Sequence, residues 1–375
     1  MPLVGVLVAV VGFGAGSPPP PPRAEAELNP TGYSSARLCG RCHTDIYESW
    51  KKSLHAFSLS DPIFDTAFMQ AIKAEGEPAR RLCLRCHAPM TLANGDYELR
   101  QGVTREGVSC DFCHTVTAVR LDHAEQPYLT EVGLVKRSIL RKAASPAHQV
   151  AYSELHGTAE FCGGCHTYTA ASGAPIMSTF DEWREGPYSR EGVQCQDCHM
   201  VRGAGKVVGA EIRSGSSPMH LHDLIHDSDQ VRSALAVRIV RAERRAETLA
   251  VDVEVENVGS GHKVPTGIPS RVIVLTVTAE SDGRSQSAER RYQKVVGDAQ
   301  GKVLSQDFEA LLYGAKILTD NRIGPREKRR EHFSFDLPRQ RGVTVKASLS
   351  YHYSPMILDQ SRVLIRLGEA ERKVY

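Results

Sequence analysis

Cys39-Gly40-Arg41-Cys42-His43 sets a pattern that the chain repeats four more times. Cys83-Leu84-Arg85-Cys86-His87 and Cys110-Asp111-Phe112-Cys113-His114 come next, then Cys162-Gly163-Gly164-Cys165-His166 and Cys195-Gln196-Asp197-Cys198-His199. Two thiols at this spacing reach the two vinyl groups of one porphyrin, and a histidine directly after them lies against its iron. Paired Cys-x-x-Cys units also bind zinc, and a single one is a redox dithiol. Neither needs the histidine that follows every second cysteine here. The motifs use all 10 cysteines, leaving none for a disulfide or another metal. The pattern predicts five covalent haem c groups. Their thioethers would form at Cys39, Cys42, Cys83, Cys86, Cys110, Cys113, Cys162, Cys165, Cys195 and Cys198. The proximal iron ligands would be His43, His87, His114, His166 and His199.

At 375 residues the chain has room for two domains of about 100–200 residues each. Aromatic residues make up only 6%, so much of the apolar interior in the first half would come from the macrocycles themselves. The formal charge of +2, which haem propionates would turn negative, gives no reason to expect a nucleic-acid partner. The apolar run from Met1 to Phe13 is short for a membrane span and suits a signal-peptide core, although no Lys or Arg precedes it. Pro18 to Pro22 read as a stiff spacer. The expected division is 1–28 signal and spacer, 29–228 pentahaem domain, and 229–375 β-sandwich. Haem is attached to such motifs outside the cytoplasmic membrane, so an exported protein is expected, periplasmic or at the cell surface. Its membrane contact would be limited to an N-terminal signal or anchor.

Ten histidines lie outside the motifs, enough to give each iron a second imidazole. After motif 1, Ile46, Trp50, Leu54 and Phe57 fall at helical spacing with His55 beside them. Asp61-Pro62 caps a second helix that Gly76 ends. Ser145-Pro146 is expected to open a helix carrying His148 and His156. Thr179-x-x-Glu182 has the form of a capping box before Trp183. Trp183 and Tyr188 repeat the five-residue spacing of Trp50 and His55, with packing the simpler role for the phenol. In Met219-His220-Leu221-His222 the two imidazoles share a side if the segment is extended, and His222 is the chosen ligand. From about Val231 the texture changes to alternating strands, including 236–240, 249–255, 272–277, 333–335, 343–349 and 363–367. These suggest an antiparallel, Ig-like sandwich. The fold class is thus α+β: a haem-packed domain of short helices and loops followed by a β-sandwich. The loop Asn257-Val258-Gly259-Ser260-Gly261-His262-Lys263-Val264-Pro265-Thr266-Gly267 lacks P-loop spacing. Its constrained backbone is expected to push His262 toward the haem domain. The predicted distal ligands are His55, His148, His156, His222 and His262.

The stretch Gly107-Val108-Ser109-Cys110-Asp111-Phe112-Cys113-His114, the pair of motifs from Cys162 to His199 with Phe180-x-Glu182-Trp183 between them, and Gln196-Asp197-Cys198-His199-Met200 carry a family likeness. They resemble multihaem cytochromes c of the type that accepts electrons from hydroxylamine oxidoreductase. The Gly261-His262-x-x-Pro265-Thr266-Gly267 loop resembles the β domain attached to many of them. The resemblance implies haems stacked in close pairs, and in some relatives assembly into extracellular filaments. A fifth motif and a large β domain depart from the tetrahaem members, so their partners do not carry over. The histidine supply favours an electron conduit working with redox partner proteins, alone or as a homopolymer. The alternative is a nitrite- or hydroxylamine-transforming enzyme, which needs one iron with an open position.

Overall fold

The computed structural model describes residues 27–208, 219–224, 228–281, 283–337, 342–353 and 363–375. The expected signal core and the polyproline spacer lie outside them. The first part is built of short helices joined by turns and small two-stranded ladders, and the motifs fall at helix ends. Motif 2 closes Glu77–His87, while motifs 3 and 5 open Cys110–Thr115 and Cys195–His199. The helix Pro62–Glu75 forms as its signals predict. The Asp61 carboxylate accepts from the Ile63 amide, Pro62 occupies the first turn, and Gly76 at φ 63° ends it. Its buried Phe68 packs with Leu84 and Ala88 of the following segment.

Three local expectations are corrected. The helix after motif 1 stops at Trp50, and turns carry the chain on. Trp50 is buried because its indole NH donates to the Val108 carbonyl at 2.9 Å. The residues after Pro146 form a strand, Gln149–Tyr152, parallel to Val135–Ser138, followed by a short 3-10 turn at Glu154–Gly157. Val150 and Tyr152 satisfy their backbones in that ladder, which removes the helix expected to carry His148 and His156. The helix Thr179–Glu185 has Ser178 at its N-cap position, with no side-chain cap. The Thr179 hydroxyl meets Thr266 Oγ1 at 2.8 Å instead, and Glu182 turns toward the second domain.

Among its described residues that domain forms an antiparallel sandwich of seven strands. Strands β1 (Leu235–Arg245), β2 (Thr248–Asn257), β3 (Arg271–Ser281), β4 (Arg284–Tyr292), β5 (Lys328–Asp336), β6 (Val343–Tyr353) and β7 (Val363–Val374) form two sheets. One runs β5-β2-β1 and the other β4-β3-β6-β7. All six strands expected from the sequence fall within these; β4, polar and exposed along most of its length, gave no apolar alternation to read. Leu249, Val251, Val253 and Val255 face inward at every second position of β2. They meet Ile273, Leu275 and Val277 of β3 and Val343, Val345, Ala347 and Leu349 of β6 in one core. This is the two-residue periodicity of a half-buried strand.

Between β4 and β5 the chain makes an excursion that rests on the haem-motif region. Strands Lys294–Gly297 and Lys316–Asp320 pair, and the helix Asp307–Tyr313 lies between them. Val296 and Ala310 from this excursion bury with Ala170, Ala174 and Ile176 from the first part. The Lys294 ammonium donates to the Pro175 and Ile176 carbonyls and to Ser178 Oγ at 2.9, 3.3 and 2.8 Å. Apolar and polar contacts together fix the sandwich against the motif region.

Candidate haem-binding sites

None of the ten cysteines takes part in a disulfide. They do not cluster as a zinc site requires: among the described residues no three His, Cys, Asp or Glu side chains converge to hold an ion. Instead, thiols of different motifs approach in pairs. Cys39 lies beside Cys110, Cys86 beside Cys165, and Cys162 beside Cys195. Cys113 and Cys165 also pack on one apolar cluster built on Phe112 and Tyr128.

The histidines are arranged across from one another. An iron–nitrogen bond of about 2 Å on each side, with each ring centre about 1 Å farther out, places two axial imidazoles roughly 6 Å apart. His43 and His148 have ring centres 6.2 Å apart, His55 and His166 6.2 Å, and His199 and His262 6.5 Å. His114 has two neighbours, His156 at 5.8 Å and His222 at 6.4 Å. The two differ in their free nitrogens. His156 has Nε2 on the Cys113 carbonyl and Nδ1 on Ser153 Oγ, both at 2.9 Å, so neither nitrogen remains for a metal. His222 donates Nδ1–H to the His220 carbonyl at 2.8 Å, which leaves Nε2 available. The hydrogen bonding of His156 runs against its expected role as a ligand.

Ligating histidines usually donate their second ring NH to a carbonyl, which fixes the tautomer. That arrangement recurs here through backbone oxygens: His43 to Val207 at 2.5 Å, His87 to Ser58 at 2.9 Å, His114 to Arg137 at 2.5 Å, and His148 to Gln149 at 3.0 Å. His262 donates to the Lys263 carbonyl at 3.0 Å. The acceptors of His43, His87 and His114 are distant in sequence, those of His148 and His262 are the next residue, and as backbone carbonyls they carry no side-chain signal, so sequence reading missed them. Burial, aided by neighbouring imidazoles, pushes His55 and His222 down to about 4 and His166 to about 3. Each is therefore neutral near pH 7, the form that binds iron.

His87 differs from the other motif histidines. Its ring stacks on Phe64 at 3.8 Å and 14°, and among the described residues no imidazole stands across from it. Among the described residues four opposed pairs form.

His262 arrives from the sandwich. Asn257, at the end of β2, holds the loop by donating to the His262 carbonyl at 3.0 Å and accepting from the Ser260 amide at 3.0 Å. Gly261 packs against Trp183 and Tyr188. The residues present fit haem c. Paired thiols stand beside each motif histidine, and the opposed imidazoles have the separation an iron requires.

Comparison with known proteins agrees. Residues 38–115 match the family cytochrome c554 and c-prime. Over those residues the chain resembles that family of multihaem cytochromes c. A penta-haem cytochrome c552 from Thermochromatium tepidum shares the fold of this chain. The TM-score is 0.74 at 22% identity, over 92% of this chain and 100% of that one. A CARDB domain from Pyrococcus furiosus and a PapD-like domain of human CEP192 align with TM-scores of 0.18 and 0.16, at 15% and 11% identity. They cover 38% and 44% of this chain and 92% of each other chain, too loosely to bear on its fold. No curated protein matches it. Among the described residues no helix is long and apolar enough to cross a membrane.

Proposed function

We propose that the chain carries five haem c groups, one per motif, and conducts electrons between redox partner proteins as an exported protein, periplasmic or at the cell surface. Haem iron supplies a reversible one-electron change when bound, tuned by its axial ligands. The chain's own part is to hold the attachment sites against one another and to present nitrogens to them. The observation that carries the reading is the set of opposed imidazoles: His43 with His148, His114 with His222, His166 with His55, and His199 with His262. His156 is assigned instead to orienting motif 3 through the Cys113 carbonyl. A pyridine haemochrome assay on protein matured in a competent host should give five haems per chain. Four or fewer would sink the assignment.

Both members of the His199–His262 pair lie on one chain, so ligation there does not call for a second subunit. We therefore take the monomer as the conducting unit. Negative-stain microscopy separates this from a homopolymer, which would appear as periodic fibres.

A second reading, as a haem enzyme, is favoured by His87 alone, whose ring meets Phe64 where the others meet an imidazole. The expected result is one high-spin iron among low-spin ones in the electron paramagnetic resonance spectrum, with one carbon monoxide bound per reduced chain. Turnover of nitrite or hydroxylamine at that iron would favour the enzyme. Its absence, with carbon monoxide still bound, would leave the conduit.

A further inference from the structure

Glu182 is the strongest candidate for a residue acting on a metal ligand from outside the ligand set. It sits on the helix Thr179–Glu185, between motifs 4 and 5, with a buried side chain. Burying a carboxylate is costly unless it is paired and hydrogen-bonded. Glu182 finds four donors, three of them from the other domain. Its Oε1 accepts from Ser178 Oγ at 2.8 Å and pairs with the Arg322 guanidinium at 2.7 Å. Its Oε2 accepts from Thr266 Oγ1 at 2.8 Å and from the Lys263 amide at 3.2 Å. Lys263 is the residue directly after His262, and its carbonyl is the acceptor that orients the His262 ring. Arg322, also buried, bonds Asp320 through Nε and a terminal nitrogen at 2.8 Å each, and donates to the Pro265 carbonyl at 3.3 Å. One carboxylate thus grips the loop at 263 and 266 while its counter-ion grips it at 265.

We propose that Glu182 is a positioning residue for His262: it seats the sandwich loop so that the His262 ring faces His199, and its charge sets the redox potential of the haem held by motif 5. An axial ligand supplied by a second domain is displaced by any slip between the domains, and an iron–imidazole bond tolerates little slip. An uncharged junction would hold the domains together without requiring a buried anion here. The proposal rests on the assignment of His262 as the distal ligand. Among the described charged side chains of this junction, Lys263, Lys294 and Arg322 are cationic and Asp320 and Glu182 anionic. Glu182 thus partly offsets a cationic excess close to a redox site.

The test compares Glu182→Gln, Glu182→Ala and Thr266→Val in the full haem-loaded protein, with His262→Ala as reference. Glu182→Gln keeps the shape and one acceptor, so it should stay low-spin while one haem's midpoint potential rises in a spectroelectrochemical titration. Glu182→Ala should convert the same haem that His262→Ala opens to a high-spin, carbon monoxide-binding form, and added imidazole should reverse the change. Thr266→Val removes one grip and leaves the ion pair, so it folds even if Glu182→Ala does not. It should raise the rate of carbon monoxide binding at that haem severalfold. Unchanged resonance spectra and ligand binding in Thr266→Val, with an unchanged potential in Glu182→Gln, would overturn the proposal wherever His262→Ala does open an iron. If His262→Ala opens none, the ligand assignment itself has failed.

Discussion

Replacing His262 with alanine should leave one haem without its second imidazole and convert one low-spin iron per chain to high spin. His262 is the one member of the four opposed pairs that comes from the sandwich, and its ring lies within 9° of parallel to that of His199. A water-sized gap should then admit carbon monoxide to the reduced iron, one equivalent more than in the parent protein. The stability cost should be moderate, about 0.5–3 kcal/mol, because the loop keeps its bonds through Asn257, Glu182 and Arg322. Optical and resonance spectra identical to the parent's would remove His262 from the ligand set.

The second large effect is expected at Gly107, just before motif 3. Its φ is +71°, a conformation that costs a non-glycine residue about 1–3 kcal/mol. A Cβ there would also lie 2.3 Å from Ser58 Oγ and 2.8 Å from the His55 carbonyl. Both contacts involve groups already in use. Ser58 Oγ donates to the His87 carbonyl at 2.7 Å, and the His55 carbonyl accepts from the Val108 amide at 3.1 Å. Gly107→Ala should therefore disturb two places together, the peptide bearing His55 and the one ending motif 2. Denaturant unfolding should show a lower midpoint, and the signals of two haems should broaden or shift. A parent-like midpoint with unchanged spectra would mean that the backbone relaxes without cost.

The two halves differed in how much of them was legible in the sequence. The sandwich announces itself because core strands alternate, as Leu249-Ala250-Val251-Asp252-Val253-Glu254-Val255 does along β2, or run apolar, as Val272-Ile273-Val274-Leu275 does in β3. The helix Pro62–Glu75 was equally readable, since its cap, first-turn proline and terminal glycine act locally. The segment 146–156 was not. A serine–proline opening favours a helix, but the ladder to Val135–Ser138 is a long-range pairing that local propensity cannot register. His148 and His262 were picked out as candidates and stand across from motif histidines. Position alone could not separate His156 from His222, because the difference lies in which ring nitrogen a distant carbonyl occupies. Glu182 was noticed for the wrong reason. Its spacing from Thr179 imitates a capping box, and only the approach of Arg322 reveals a buried ion pair.

The thiol contacts have a further consequence. Motif order along the chain is not neighbour order in space: motif 1 abuts motif 3, motif 2 abuts motif 4, and motif 4 abuts motif 5. Motif 3 shares an apolar cluster with motif 4. Drawn as a graph, the five sites form a branched tree with motif 4 as the node of degree three, while motifs 1, 2 and 5 are its tips. Robustness to a lost attachment is then unequal. In the proposed conduit, a haem missing from Cys83 or Cys195 would prune a single tip, whereas one missing from Cys162 or Cys165 would sever three limbs at once and leave only the 1–3 segment joined.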